Sequence, residues 1–315
     1  MRKIAVAGSI LVDRLYGIGA YPEAGELVQI RSVSKAGGGM VHNTGRDIRI
    51  FSPDIPVSAF GKVGDDDDGR YVVSELESSG IDTAGVKISP LCITSFTEVM
   101  SEERGERTFF TYPGASSEWG YDDFPFDSIK QGDIVLLGYF LLLDKIDGGD
   151  GVRILKELKH RGAFTAIDLV TETSDRYSLV REALPYVDYL IVNEVEASRL
   201  AGAQAQPGQL CRMLLDLGVR EMVIVHMPEK GVILRRGGEV SQMPSVALEP
   251  GFIRGKTGAG DAYCAGALVG IYRGLDDRGI LELGALAAVG ALSQPGAVEG
   301  MRTEKELREY VGKFK

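Results

Sequence analysis

Four consecutive residues, Gly258-Ala259-Gly260-Asp261, combine a flexible backbone with a carboxylate directly before an Ala- and Gly-rich helical pattern. Glycine lets the backbone approach a ligand closely, and the start of a helix presents unpaired N–H groups and a partial positive charge. The segment therefore predicts a phosphate site. A carboxylate there would repel phosphate unless it acts on an incoming nucleophile, so Asp261 is a candidate general base, with helix capping as the competing interpretation.

A second glycine-rich segment, Gly37-Gly38-Gly39, precedes a helical pattern whose first turn contains Asn43. Glycines allow a polar ligand to lie against the backbone, and the Asn43 amide offers both a donor and an acceptor to hydroxyl groups. This combination suits a polyol, although a flexible loop before a helix would show the same sequence pattern. Asp13, after the first apolar run, could bind sugar hydroxyls or cap a turn.

Two further acidic segments follow strand-like runs. Asn193 and Glu196 come just after an apolar run, where ligands collect in open α/β sheets, and could order magnesium-bound water around a triphosphate. Helix capping is again the alternative. Four adjacent carboxylates at 65–68 suggest a cation site, but acidic residues also favour a helix N-terminus, and we assign no metal there.

Composition narrows the class of protein. The 315 residues are 44% hydrophobic and 25% charged, as in an ordinary soluble globular protein. A net charge of −10 argues against a protein that coats nucleic acid. The three cysteines suggest neither disulfides nor a zinc motif, which favours a reducing cytoplasm, and no apolar run is long enough to span a membrane.

Short apolar runs alternate with helical patterns along most of the chain, which indicates a doubly wound, mainly parallel α/β sheet covered on both faces. The expected strands are 3–8, 57–63, 133–137, 163–168 and 187–192. The expected helices are 40–51, 68–79, 150–161, 177–184, 194–201, 260–273 and 277–292. A strand pair is expected within 220–244.

Two stretches, about 12–36 and 92–113, break this rhythm. The second alternates polar and apolar residues around the turn 103–106, as antiparallel hairpins do. We therefore expect one domain over 1–315, with a discontinuous small β-sheet lid built from these two stretches.

Taken together, these motifs resemble the ribokinase family of carbohydrate and nucleoside kinases, also called the PfkB family. The resemblance covers nearly the whole chain in the family's order. It is carried by the GAGD segment at 258–261, the double glycine with Asn43, the GxVGDDxxG stretch at 61–69, the GERT segment at 105–108 and the NxxE motif at 193–196.

The resemblance implies an ATP-dependent kinase that uses Mg²⁺ and phosphorylates a hydroxyl of a small, sugar-like acceptor. It implies Asp261 as the base, with charge on the transferred phosphoryl group stabilised by Gly258, Ala259 and Gly260. The implied acceptor site is Asp13, Gly38, Gly39 and Asn43. The implied nucleotide site is Asn193, Glu196, His226 and Gly231, with Glu196 also holding magnesium through water. The exposed edge and apolar face of the lid further suggest a homodimer formed through it.

Some positions depart from the family pattern. Gly255 and Lys256 replace an Asp and a Thr that many relatives link to monovalent-cation activation. Since Lys256 brings its own positive charge, we predict that potassium has little effect on turnover, and a several-fold rise would refute this. Gly138-Tyr139-Phe140 lacks the acidic residue common in ribose-type enzymes. Because aromatic rings stack on flat or apolar faces, a nucleoside or a modified sugar stays open as the acceptor. A ligand sensor without turnover is a separate alternative.

Overall fold

We describe the protein from a computed structural model, and the description covers residues 2–102, 107–171, 176–227 and 229–312. The strands are β1 (Ile4–Gly8), β2 (Leu11–Ile18), β3 (Ile30–Gly38), β4 (Val57–Gly64), β5 (Asp82–Ser89), β6 (Ser95–Glu102), β7 (Arg107–Tyr112), β8 (Ile134–Phe140), β9 (Phe164–Leu169), β10 (Tyr189–Asn193), β11 (Met222–Met227), β12 (Gly231–Arg236) and β13 (Glu239–Met243). The α-helices are α1 (Met40–Phe51), α2 (Asp67–Ser78), α3 (Gly151–His160), α4 (Tyr177–Arg181), α5 (Glu194–Ala201), α6 (Pro207–Asp216), α7 (Ala259–Arg273), α8 (Asp277–Leu292) and α9 (Glu304–Gly312).

The larger of two sheets has the order β13-β12-β11-β10-β9-β8-β1-β4-β5. Its strands pair in parallel from β5 to β11, and only β12 and β13 join antiparallel. Because parallel strands need crossover connections, helices cover both faces of this sheet. The predicted doubly wound α/β fold is confirmed.

Two apolar layers sandwich the large sheet, and β1 shows how the sequence supplies both. All five of its residues are buried. Ile4 and Val6 pack into the layer that contains α1, α7 and α8, whereas Ala5 and Ala7 pack into the opposite layer with α3, α5 and α6. Side chains alternate across a strand, so a strand covered on both faces reads as a continuous apolar run.

The second, small sheet has the order β3-β2-β6-β7. As expected, β2–β3 and β6–β7 pair antiparallel, although the turn at 103–106 lies outside the described residues. β2 and β6, however, pair in parallel. The reason is topological. β2 follows β1 and β6 follows β5, and because β1 and β5 run in the same direction, both end at the same edge of the large sheet.

Some elements differ from the sequence-based expectation. The strand β5 and the helices α6 and α9 were not expected, and 220–244 forms three strands rather than a pair. β5 and β13 lie at the two edges of the large sheet, where many of their side chains are exposed. Edge strands therefore lack the continuous apolar run that marked the central ones.

The acidic run at 65–68 serves the start of α2. Asp66 caps this helix by accepting from the N–H of Gly69, at 2.8 Å. Asp68 in the first turn accepts from Arg14 at 2.6 Å and Lys35 at 3.1 Å, which ties α2 to the small sheet.

Over the described ranges, no group of three or more His, Cys, Asp or Glu residues is arranged to hold a metal ion. No described helix is long and apolar enough to cross a membrane.

Candidate active site

Asp261 lies in the first turn of α7 and is only 5% exposed. Its Oδ2 accepts a hydrogen bond from Nδ2 of Asn43 at 2.9 Å, and Tyr139 directs its hydroxyl at Oδ1 and Oδ2, at 3.1 and 3.0 Å. Asp261 is the third residue of the helix rather than the residue before it, and its named partners come from α1 and β8. The carboxylate is therefore held by residues of two other elements, and these contacts are not those of a helix cap.

The backbone ahead of Asp261 requires glycine at one position. Gly258 has φ of +74°, and a Cβ there would lie 2.5 Å from the carbonyl oxygen of Ala297. Gly258 is also the residue that precedes α7, and it has no side chain with which to cap the helix. The N–H of Ala259 donates to the carbonyl oxygen of Lys256 over a long 3.4 Å, and no side chain caps the first turn of α7. A helix start without a side-chain cap suits an anion.

The predicted acceptor residues come from β2, from the end of β3 and from the start of α1. Gly38 ends β3 and Gly39 precedes α1. Asp13 on β2 is close enough to Asp261 for the charge of Asp261 to raise its pKa. Strand register also places Thr97 and Thr111 in the same cross-strand row as Asp13, and their hydroxyls are 3.1 Å apart. Residues in one such row share a face of the sheet. This polar row was missed because it depends on the pairing of β2 with β6.

A cavity of about 180 Å³ opens at the carboxyl ends of β8, β9, β10 and β11, beside Asp261. Parallel sheets commonly bind ligands at this edge. Three of the four predicted nucleotide residues contribute to it. The lining residues are Tyr139, Asp168, Leu169, Val170, Thr171, Asn193, Glu196, His226, Gly258, Gly260 and Asp261.

Asn193 and Glu196 serve α5 and the cavity together. The Asn193 side chain accepts from the N–H of Glu196 at 2.9 Å, and Glu196 Oε2 accepts from the N–H of Asn193 at 3.0 Å, which forms a capping box. The other oxygen of Glu196 accepts from the Thr171 hydroxyl at 2.7 Å. The capping interpretation is thus correct, but it fixes both side chains where they face the cavity.

The two remaining predicted nucleotide residues differ in position. His226 is the penultimate residue of β11 and pairs with Asn193, and its ring lies 5.3 Å from that of Tyr263. Burial lowers the pKa of His226 to about 4, so this ring is neutral near pH 7. Gly231 begins β12 opposite Met227, and the residues that line the cavity do not include it.

Buried carboxylates dominate the electrostatics of the site. Burial raises the pKa of Asp261 to about 6 against the opposing hydrogen bonds from Asn43 and Tyr139, and burial with the Asp261 charge raises the pKa of Asp13 to about 7. Burial also raises the pKa of Asp168 and Glu196, which repel each other. Two repelling carboxylates on one cavity fit a hydrated divalent cation. Asp168 ends the predicted strand 163–168 and could have been found by its position.

A hydrogen bond joins the small sheet to the residue that precedes Gly258. NH1 of Arg107, at the start of β7, donates to Oγ1 of Thr257 at 2.9 Å. Arg107 is the arginine of the GERT segment and Thr257 directly precedes Gly258. The Lys256 side chain is exposed. The small sheet therefore contacts the glycine-rich segment that leads into α7.

Comparison with known proteins gives a consistent result. A family model described as pfkB family carbohydrate kinase matches residues 1–304. A ribokinase of Schizosaccharomyces pombe is 25% identical over 324 aligned positions, which cover 100% of this chain and 98% of that protein. A 2-dehydro-3-deoxygluconokinase of Thermoproteus tenax is 28% identical over 264 positions, which cover 81% of this chain and 79% of that protein.

The fold is shared with solved structures. Arabidopsis thaliana ribokinase, solved with ribose and ATP, superposes with a TM-score of 0.84 at 24% identity over 99% of both chains. This match supports the two-sheet architecture independently of sequence. Because the family model spans almost the entire chain and the site motifs occur in its order, the protein belongs to the pfkB family of carbohydrate kinases.

Proposed function

We propose that this protein transfers the γ-phosphoryl group of ATP to a hydroxyl of a small sugar or sugar-like acceptor, with Asp261 as the general base. One observation carries the proposal. The Asp261 carboxylate stands at the start of a helix whose N–H groups suit phosphate, and it also contacts Asn43 on the acceptor side. A base between two such subsites can meet both reactants.

Each chemical role falls to a group in this arrangement. Asp261 takes the proton of the acceptor hydroxyl as that oxygen attacks the γ-phosphorus, and the bond from this phosphorus to the bridging oxygen breaks to release ADP. The backbone N–H groups of Gly258, Ala259 and Gly260 stabilise negative charge on the transferred group. Asp13, Gly38, Gly39 and Asn43 orient the acceptor. Positioning and electrostatic stabilisation then supply most of the rate enhancement, as is usual for phosphoryl transfer.

The nucleotide end of the site is assigned by the same reasoning. Asn193, Glu196, His226 and Asp168 line the cavity beside the phosphate loop, and Gly231 stays a prediction from the resemblance alone. Asp168 and Glu196 suit a hydrated magnesium ion that neutralises charge on the phosphates. We propose that Glu196 holds this ion through water, with Thr171 and Asn193 fixing the carboxylate.

The acceptor class is tested by incubating the protein with ATP, magnesium chloride and a panel of candidates while ADP release is followed. The panel contains pentoses, hexoses, deoxy sugar acids and nucleosides. Turnover of sugars or sugar acids above nucleosides supports the proposal. Preference for a nucleoside supports the nucleoside kinase alternative, for which the Tyr139 ring at the base offers a stacking surface. No ADP above background with any candidate supports the sensor.

The pH dependence of turnover follows from the buried base. A carboxylate with a pKa of about 6 is protonated at lower pH and cannot accept a proton. We therefore expect kcat/KM for the acceptor to rise with pH through this region and to fall about tenfold for each pH unit below it. Rates would be measured from pH 5 to pH 9 at saturating nucleotide. A profile that stays flat down to pH 5 would contradict an unprotonated Asp261 as the base.

We also propose that the protein forms a homodimer through the small sheet. Its outer strands, β3 and β7, expose Val33 and Phe110 by 68% and 57%, on the same face by register. Exposed strand edges with apolar side chains favour pairing with another chain. Light scattering would give a dimer mass for the wild type and a monomer mass for Phe110→Glu. A monomeric wild type at micromolar concentration would rule out this assembly.

A further inference from the structure

A buried histidine stands next to the residue that contacts the base. His42 precedes Asn43 on α1, and its side chain is 2% exposed. Its Nδ1 lies 3.2 Å from Oδ1 of Asn43, and its Nε2 lies 3.1 Å from Oε2 of Glu75 on α2. Since Asn43 also donates to Asp261, four side chains form a continuous hydrogen-bonded row from α2 through α1 to α7.

The direction of each hydrogen bond in this row follows from its last member. An ionised Asp261 only accepts, so Asn43 must turn its NH₂ group towards Asp261 and its Oδ1 towards His42. That oxygen also only accepts, and Nδ1 of His42 must therefore carry a proton. An imidazolium meets this requirement, with Nε2 donating to Glu75. The neutral Nδ1–H tautomer also meets it and lets Nε2 accept from NH1 of Arg46 at 3.2 Å, but Nε2 then has no proton to donate to Glu75.

The surrounding backbone is fitted to this histidine. Oε2 of Glu75 accepts from the N–H of Gly37 at 3.2 Å, and a Cβ at Gly37 would overlap the His42 ring. The absence of a side chain at Gly37 is thus explained by the imidazole rather than by a ligand. The hydrogen bond with His42 is also the largest cause that lowers the pKa of Glu75, to about 2. Glu75 is therefore a fixed anion near pH 7.

We propose that His42 is a positioning residue for the general base. The proposal rests on the function proposed above. By donating from Nδ1, His42 fixes the amide of Asn43 so that its NH₂ group, and not its oxygen, faces Asp261. Without this donor the amide can rotate, and its oxygen would then repel the carboxylate. Asp261 would lose both its orientation and one of the hydrogen bonds that oppose the rise of its pKa.

Two substitutions of similar size separate the two ring nitrogens. In His42→Asn the amide nitrogen can occupy the place of Nδ1 and still donate to Asn43, whereas in His42→Gln it reaches the place of Nε2 and meets Glu75 instead. We expect His42→Asn to keep kcat within about threefold of the wild type and His42→Gln to lose roughly 10- to 10²-fold, with the KM for ATP unchanged in both. Equal losses in the two variants, or no loss in His42→Gln, would overturn the proposal.

A measurement on the unmodified protein decides the matter even if a variant fails to fold. The chain has only three histidines, so ¹⁵N-histidine labelling with long-range ¹H–¹⁵N correlation resolves every ring. Spectra of His160→Gln and His226→Gln assign the remaining signal to His42. We expect a proton on Nδ1 of His42 near pH 7, and a ring protonated on Nε2 alone would refute the row. This readout needs no acceptor or turnover, so its failure is distinct from failure of the proposed kinase activity.

Discussion

Asp261→Asn is expected to lower kcat by about 10²-fold or more, because an amide cannot take the proton of the acceptor hydroxyl. Packing should survive the change. The amide oxygen can still accept from Asn43, and the Tyr139 hydroxyl can turn to accept from the new NH₂ group. ATP affinity should therefore stay within about twofold of the wild type. Steady-state kinetics with the best acceptor of the panel, and calorimetric titration with ATP, measure the two quantities.

The matched control is Asp277→Asn. Asp277 also lies in the first turn of a helix, α8, where it pairs with Arg236 at 3.0 Å and is remote from the cavity beside Asp261. Loss of a favourable charge at a helix start is common to both variants, and we expect the control to keep wild-type turnover. If the two variants had similar kcat values, Asp261 would not be the base.

Gly258→Ala is expected to produce the second large effect, a loss of roughly 10²-fold in kcat. The new Cβ would press on the carbonyl oxygen of Ala297, and a φ of +74° is unfavourable for alanine. Relief of both requires the loop to move, and the N–H groups at the start of α7 move with it. Since charge develops on the transferred phosphoryl group, misplaced donors should lower kcat more than they raise the KM for ATP.

Gly274→Ala provides the control for this substitution. Gly274 directly follows the last residue of the same helix and has a similar φ of +69°, but a Cβ there would meet nothing within 4 Å. The variant shares the backbone penalty without disturbing the phosphate loop. We expect nearly full turnover and a small fall in the thermal midpoint. Comparable kcat values in the two variants would show that the position of the loop does not limit phosphoryl transfer.

Much of the fold could be predicted because its signals are local. The expected helices 194–201 and 277–292 coincide with α5 and α8, since capping residues and composition mark their ends. The glycine-rich loops and the NxxE motif could also be recognised, because each consists of a few neighbouring residues. The edge strand β5 carries no comparable signal, because exposure on one side breaks its apolar run.

The contacts around Asp261 could not be predicted to the same degree. Asn43 lies 218 positions before Asp261 in the chain, and only the packing of α1 on α7 brings them together. Tyr139 could be recognised as an aromatic residue at a strand end. Its hydroxyl reaches Asp261 because the Tyr139 backbone has a φ of +59°, and this conformation cannot be predicted from the type of side chain. The role of His42 depends on Glu75 from another helix, which no spacing rule connects to it.

The hydrogen bond between Tyr139 and Asp261 also bears on the rate at which ATP is hydrolysed by water. The Tyr139 hydroxyl lies within hydrogen-bond distance of both carboxylate oxygens, at 3.1 and 3.0 Å. A water molecule competes with that phenol for the oxygens of the carboxylate. An acceptor held by several hydroxyl groups can do so far more readily than a single water. If Asp261 is the base proposed above, this contact should keep hydrolysis of ATP by water slow relative to transfer to the acceptor.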